Sequence, residues 1–152
     1  FDLVELNESF VDILKQRFET EEAWRAVHPL STIHEVPLQD FQTEGDYDFV
    51  ISGLPLINFS PVLVAEIMEV YFRLLKPGGM LSYFEYMYIR PIRKTVSVGA
   101  GGRRVREINE IVESYIGRHR VARDSVFLNT PPAWAQHLQA DLKPASSENV
   151  PA

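Results

Sequence analysis

Two acidic residues stand where a nucleoside could be held. Glu5 closes a short apolar run at residues 1–6, and Asp40, followed by Phe41, comes just after a second run at 32–36. In open α/β sheets ligands gather at the carboxyl ends of the strands. A carboxylate at such an end accepts both hydroxyls of a ribose, each charge-assisted hydrogen bond adding about 1.5 to 3 kcal/mol. A second carboxylate, one strand along, is placed to take the amino group of an adenine. A third strand end, Ser52-Gly53-Leu54-Pro55-Leu56, carries a glycine that lets backbone approach a reacting group closely. A fourth is crowded with Tyr83, Phe84, Tyr86 and Tyr88 beside Glu85. Aromatic faces attract a cationic amine by about 0.5 to 2 kcal/mol each. Arg90, Arg93, Lys94, Arg103, Arg104 and Arg106 follow at once and suit a phosphate, or an anionic membrane at about 1 kcal/mol per basic residue.

Each group also has a plainer role. Acids that open helices are favoured by the macrodipole. Aromatic residues in a central strand usually belong to the core, and an arginine run is usually a solvated helix face. His28, His34, His119 and His137 lack ligand spacing, and the chain has no cysteine, so neither a metal centre nor a disulfide framework is expected.

The elements that must position these residues are legible as a strand-helix-strand unit over 47–88. Residues 48–51 form a short apolar strand between glycines, expected to be covered on both faces. From 62 to 75 the apolar residues Leu63, Ile67, Val70, Tyr71, Leu74 and Leu75 fall at helical spacing, with Ser60 as N-cap and Pro61 at the first helical position. Gly78 is expected to end that helix in the left-handed conformation, and 80–88 to form the next strand. Upstream, Asn7 or Glu8 opens a helix with Phe10, Ile13, Leu14 and Phe18 on one face, and Trp24 packs inward from a continuation at 21–27 that His28-Pro29 ends. Downstream, residues 92–98 read as a candidate helix start, 99–102 as an interruption, and Val105, Ile108, Ile111, Val112, Tyr115 and Ile116 as the stripe of the helix resumed. The glycines at 99–102 give the segment room to act as a lid. Strands at 121–129 and 133–138 then form an antiparallel pair at a sheet edge.

Composition bounds the rest. The 152 residues are 45% hydrophobic, enough for one core, and no stretch is long and apolar enough to span a membrane. A cytosolic protein, at most peripheral to a membrane, is the expectation. Residues 1–48 hold twelve acidic and three basic side chains, whereas 90–123 hold nine basic and three acidic ones. That asymmetry points to an anionic partner near the second half. Phe1 stands in a strand already under way, so the chain reads as part of a longer protein, with a domain over 1–138 and a disordered polar tail over 139–152.

The ordered set of Glu5, Asp40, the strand and turn over 48–56, Lys76-Pro77-Gly78-Gly79 before a strand, and a final strand pair resembles class I S-adenosylmethionine-dependent methyltransferases from their second strand onward. That resemblance implies an α/β, Rossmann-like sheet, mostly parallel with an antiparallel C-terminal strand pair. It implies S-adenosylmethionine as cofactor, bound by Glu5 at the ribose and Asp40 at the adenine, with Phe41 and Ser52 alongside. Gly53, Leu54, Pro55, Tyr86 and Tyr88 would surround the reacting methyl group. The first strand and its Gly-rich loop are not in the chain, so the piece alone is not expected to be a competent enzyme.

Within that class, residues 51–56 and 128–134 are most similar to bacterial phospholipid N-methyltransferases, a branch related to ribosomal RNA adenine dimethylases. The likeness implies a phosphatidylethanolamine head group as acceptor, with Arg90, Arg93, Arg103, Arg104 and Arg106 at its phosphate or at the membrane. A flipped adenine needs a polar acceptor for its amino group and an aromatic face to stack on. Gly53 and Leu56 offer neither, which disfavours nucleic acid. Alternatives are an RNA or small-molecule methyltransferase and a non-catalytic interaction module. A nicotinamide-dependent dehydrogenase shares the acidic strand end but not the terminal strand pair.

Overall fold

Asn7 leaves the first strand in extended conformation, and its Oδ1 accepts the Ser9 amide at 3.0 Å, which caps the first helix. The computed structural model describes residues 1–43, 45–86, 100–128 and 131–142, with backbone alone at 100 and 101. It divides into two units, Phe1–Gln42 and Thr43–Ala152. The first holds β1 (Asp2–Val4), α1 (Glu8–Thr20), α2 (Glu22–Val27) and β2 (Thr32–His34). β1 and β2 pair in parallel, Val4 opposite His34. On α1 the buried residues are Val11 and Phe18, while Phe10 and Ile13 are exposed, against expectation. Spacings of three and four fit both stripes, so periodicity cannot choose between them. Packing against α2 decides: Trp24 meets the Phe18 ring edge-on at 5.3 Å and His28 stacks on it at 4.9 Å.

The second unit holds β3 (Tyr47–Ser52), α3 (Pro61–Leu74), β4 (Leu75–Tyr86), α4 (Ala100–His119), β5 (Arg120–Val126) and β6 (Ala133–Gln139). Its sheet runs β3-β4-β6-β5, with β3 and β4 parallel and the other pairs antiparallel. The terminal antiparallel pair is therefore as expected, and the last strand lies inside the edge strand. Ser60 caps α3 by accepting the Leu63 amide at 3.2 Å, with Pro61 first in the helix. One face of α3 buries Val64, Ile67, Met68, Tyr71 and Leu74, and α4 buries Val105, Ile108, Val112 and Ile116. Phe72 and Tyr115 join the two helices, ring centroids 5.2 Å apart. Leu81 and Leu138, paired across the central strands, are fully buried. Each contributes about 1.5 to 3 kcal/mol by leaving water.

Four expectations change here. Gly78 does not end α3. The helix stops at an extended Leu75, and its last carbonyls, on Arg73 and Leu74, accept the amides of Gly45 and Asp46. Gly78, at φ +79°, instead turns a bulge in β4, where the register jumps from Tyr47 opposite Leu75 to Phe49 opposite Met80. Secondly, the described residues do not cover β3 on both faces: Ser52 is buried against Tyr71 of α3, but Phe49 and Ile51 are 70% and 86% exposed. Thirdly, Gly101 and Gly102 do not interrupt a helix; both lie inside α4, which removes the basis for a hinge at that pair. The segment 92–98 and Gly99 lie outside the described residues. Finally, order runs past Leu138. Gln139 ends β6, and Ala140 is buried and exchanges backbone hydrogen bonds with Gly78 and Gly79 at 3.2 and 2.9 Å. The remainder of the expected tail, 143–152, lies outside the described residues.

The bulge leaves no space beside Gly79. A Cβ there would sit 3.0 Å from the carbonyl oxygens of Lys76 and Tyr47, both backbone atoms that cannot swing aside. Gly79→Ala is expected to lower stability by about 1 to 3 kcal/mol, the usual cost of overpacking, read as an earlier urea midpoint with an unchanged slope.

Candidate active site

In the first unit, Glu5 directly follows β1 and Asp40 follows β2 by a 3₁₀ turn at Leu38–Asp40, so both acids stand beyond the carboxyl ends of paired parallel strands. Glu5 is half-buried. Its Oε1 accepts the Asn7 amide at 2.8 Å, and its own amide donates to the His34 carbonyl at 3.1 Å. The carboxylate is thus fixed in direction by the start of α1. Asp40 is exposed, and Phe41 beside it is buried with its ring 4.8 Å from that of His34. Such a pair of acceptors, one anchored and one open, fits the hydroxyl and amino donors of a nucleoside.

In the second unit the strand ends of β3 and β4 meet. Ser52 is buried, and its hydroxyl is shared between the Tyr71 hydroxyl on α3 and the Leu54 amide, which donates to it at 3.2 Å. The Ser52 side chain therefore holds the turn to the helix rather than facing outward. Burial pushes the Tyr71 phenol up to about 12, partly offset by the Ser52 hydrogen bond. The chain then leaves the sheet through Gly53 and a 3₁₀ turn, Leu56–Asn58, closed by the Asn58 and Phe59 amides. Gly53 is exposed with ordinary backbone angles, and a Cβ on it would meet only Phe84, at 3.8 Å. Phe84 in turn stands edge-on to Tyr86, centroids 5.3 Å apart. Gly53 and Tyr86 are thereby linked through one ring. Tyr88, Arg90 and Arg93 lie outside the described residues.

A cavity of about 80 Å³ opens at this corner. Pro55, Leu56, Ile57 and Asn58 line it on one side, Ile108, Asn109 and Val112 of α4 on another, and Tyr83 to Tyr86 of β4 on a third, with Glu85, Asn58 and Asn109 among its polar groups. Glu85 Oε1 accepts the Gln136 amide of β6 at 2.8 Å. Arg103, Arg104 and Arg106 are exposed along the first turns of α4, and Arg104 Nη2 donates to the Ile57 carbonyl at 3.2 Å. The cationic start of the helix is thus pinned to the cavity lip. On the opposite sheet face, Ser82 Oγ lies 2.8 Å from His137 Nδ1, and His137 Nε2 lies 3.1 Å from Asp124. These are neighbours across β4, β6 and β5, and the chain of contacts ties the strands together.

Of the residues singled out in the sequence, Pro55 and Tyr86 line the cavity and Gly53 and Leu54 adjoin it. Asn109 and Gln136 were missed. Asn109 sits four residues after Val105 and three before Val112, an amide on an otherwise apolar helix face. Gln136 breaks the inward alternation of Trp134 and Leu138. Buried amides on core faces were the available signal.

No family model matches the chain, and no curated protein matches it. Solved structures do. N-methyltransferase NodS from Bradyrhizobium japonicum WM9, also solved with S-adenosyl-l-homocysteine, aligns over 92% of this chain and 72% of its own, at 12% identity and a TM-score of 0.63. A SAM-dependent methyltransferase from Methanosarcina mazei aligns over 93% of this chain and 82% of its own, at 11% identity and 0.68. A possible exported protein from Bordetella parapertussis aligns over 92% of this chain but only 53% of its own, at 12% identity and 0.60. This chain therefore spans between about half and four fifths of these structures. The likeness is one of fold: the chain has the Rossmann-like fold of the class I methyltransferases.

Two substitutions separate the turn's support from its chemistry. Unfolded tyrosine ionises near 10 and Tyr71 at about 12, so the unfolded state releases its proton first and stability is full below 10 and falls as pH rises toward 12. Tyr71→Phe should remove most of that fall, about 2 to 3 kcal/mol across two pH units, in urea titrations between pH 9 and 12. Gly53→Ala, with open space for its methyl group, should leave the melting temperature within about 2 °C. Any ligand binding that it weakens then reports close approach at the turn.

Proposed function

We propose that this chain belongs to a methyltransferase that uses S-adenosylmethionine to methylate the amine of a phosphatidylethanolamine-type head group. The observation that carries this reading is the Arg104 hydrogen bond to Ile57, because it brings a cationic helix start to the lip of a cavity containing a carboxylate. An acceptor with an amine and a phosphate a few bonds apart matches that pairing of charges. Anionic lipid adds to it through Arg103 and Arg106.

Glu5 is assigned to the ribose and Asp40 to the adenine amino group, on the chemistry of their acceptor oxygens. Bound there, S-adenosylmethionine supplies an electrophilic methyl group. The chain's own part is orientation and proton handling. The apolar walls of the cavity exclude water from the amine, which strengthens the polar contacts inside. Transfer needs a neutral nitrogen, so an arriving ammonium must lose a proton, and Glu85 is the carboxylate placed to accept it. Gly53 permits close passage of the reacting groups, and the rings of Phe84 and Tyr86, edge-on to each other beside that turn, offer aromatic surface to a cation there. Holding nucleophile and methyl group in line is worth more here than a strong base.

Glu5→Ala in the full gene product should weaken S-adenosylmethionine binding about tenfold, the equivalent of about 1.4 kcal/mol, by calorimetry. Labelled methyl donor offered with phosphatidylethanolamine vesicles should label the lipid and leave undermethylated ribosomal RNA unlabelled. Label in the RNA alone contradicts the reading. Replacing Arg103 and Arg106 together by Ala should weaken binding to anionic vesicles and flatten its salt dependence, with cofactor affinity unchanged.

A further inference from the structure

Asn109 is 5% exposed and lines the cavity, yet neither its Nδ2 nor its Oδ1 has a hydrogen-bond partner among the described residues. An unpaired carboxamide inside a protein is costly, and buried polar groups are paired in the great majority of cases. On the apolar face of α4, between Val105 and Val112, this carboxamide is open to a polar group that enters the cavity. Across the cavity stands Glu85, with Oε1 held by the Gln136 amide, itself 2% exposed. Gln136 thereby fixes the orientation of the carboxylate, as Asn7 fixes that of Glu5.

We propose that Asn109 and Glu85 form an ammonium clamp that selects the acceptor, recognising a primary or partly methylated 2-hydroxyethylammonium group. This rests on the amine-acceptor reading and names the atoms that would enforce it. The ligand's N–H groups donate to Asn109 Oδ1 and to the Glu85 carboxylate, its carbon atoms lie against Leu56, Ile108 and Val112, and its hydroxyl or ester oxygen accepts from Asn109 Nδ2. Size agrees. A water-sized group needs about 10 to 15 Å³ of such space, so the cavity holds roughly five to eight of them. That admits an ethanolamine unit and its methylated forms, and is tight for a purine. A fully methylated ammonium has no N–H to give, so the clamp releases the end product.

The test uses the full gene product and N-methylethanolamine, with choline and 1-propanol as probes lacking the N–H and the charge. Binding followed by NMR shift titration should favour N-methylethanolamine over both by at least fivefold. Asn109→Leu should lose that preference at least fivefold while raising the melting temperature, because it removes an unpaired amide, and should leave S-adenosylhomocysteine binding unchanged. Should Asn109→Leu fail to fold, Asn109→Asp serves instead: a second carboxylate should tighten N-methylethanolamine binding, more so at pH 8 than at pH 5. Unchanged selectivity in whichever variant folds, or equal binding of 1-propanol by the unmodified protein, overturns the clamp. If lipid methylation persists while the clamp fails, the functional reading survives alone; Asn109-dependent amine binding without lipid methylation leaves the clamp and removes the lipid.

Discussion

The buried hydroxyl pair of Ser52 and Tyr71 decides where β3 ends and therefore where everything at the candidate site begins. Ser52 is the last residue of the strand, and its oxygen also receives the Leu54 amide, so strand, turn and helix α3 converge on one atom. Neither hydroxyl could be buried alone without losing about 1 to 3 kcal/mol. Together they hold the direction in which Gly53-Leu54-Pro55-Leu56 leaves the sheet. Leu56 is buried at the end of that path and Ile57 is fixed from outside by Arg104. The cavity wall is thus set by hydrogen bonds at both ends and by apolar packing between them.

A second constraint comes from polar groups on the inner sheet face. Gln136 and Asn109 are buried, and Glu85 beside them is half-buried and hydrogen-bonded to Gln136. Gln136 and Glu85 satisfy one another in part, whereas Asn109, with no partner among the described residues, costs the fold and adds nothing to it. The core proper lies further along the strands, where Leu81 and Leu138 pair beneath α3 and α4. Site and core are therefore adjacent but chemically distinct ends of the same sheet.

Much of this was legible in the sequence, for identifiable reasons. The amphipathic stripe of α3, its Ser60-Pro61 start and the antiparallel terminal strands follow from local periodicity and capping, and the structure has them. Gly78 was read correctly as needing positive φ but given the wrong task, because a helix end and a strand bulge make the same demand on backbone. The two faces of α1 could not be told apart, since the choice depends on Trp24, His28 and their contact with Phe18. The exposure of Phe49 and Ile51 was equally hidden: an apolar strand declares that it can be covered, not that the described residues cover it. Position was legible too: Glu5 and Asp40 follow β1 and β2 in the first unit, and Gly53 follows β3 while Tyr86 ends β4 in the second, as expected from the sequence. Asn109 and Gln136 were missed because their meaning depends on being buried, which only the packing of α4 and β6 reveals.

The placement of the acceptor at the corner of β3, β4 and α4 is open to one direct measurement. Crystals of the full gene product grown with S-adenosylhomocysteine and N-methylethanolamine should place the amine nitrogen within hydrogen-bond reach of both Asn109 Oδ1 and the Glu85 carboxylate, with the carbon chain against Leu56 and Ile108. An amine bound elsewhere, with the Asn109 carboxamide paired to protein atoms and the cavity closed, would contradict it.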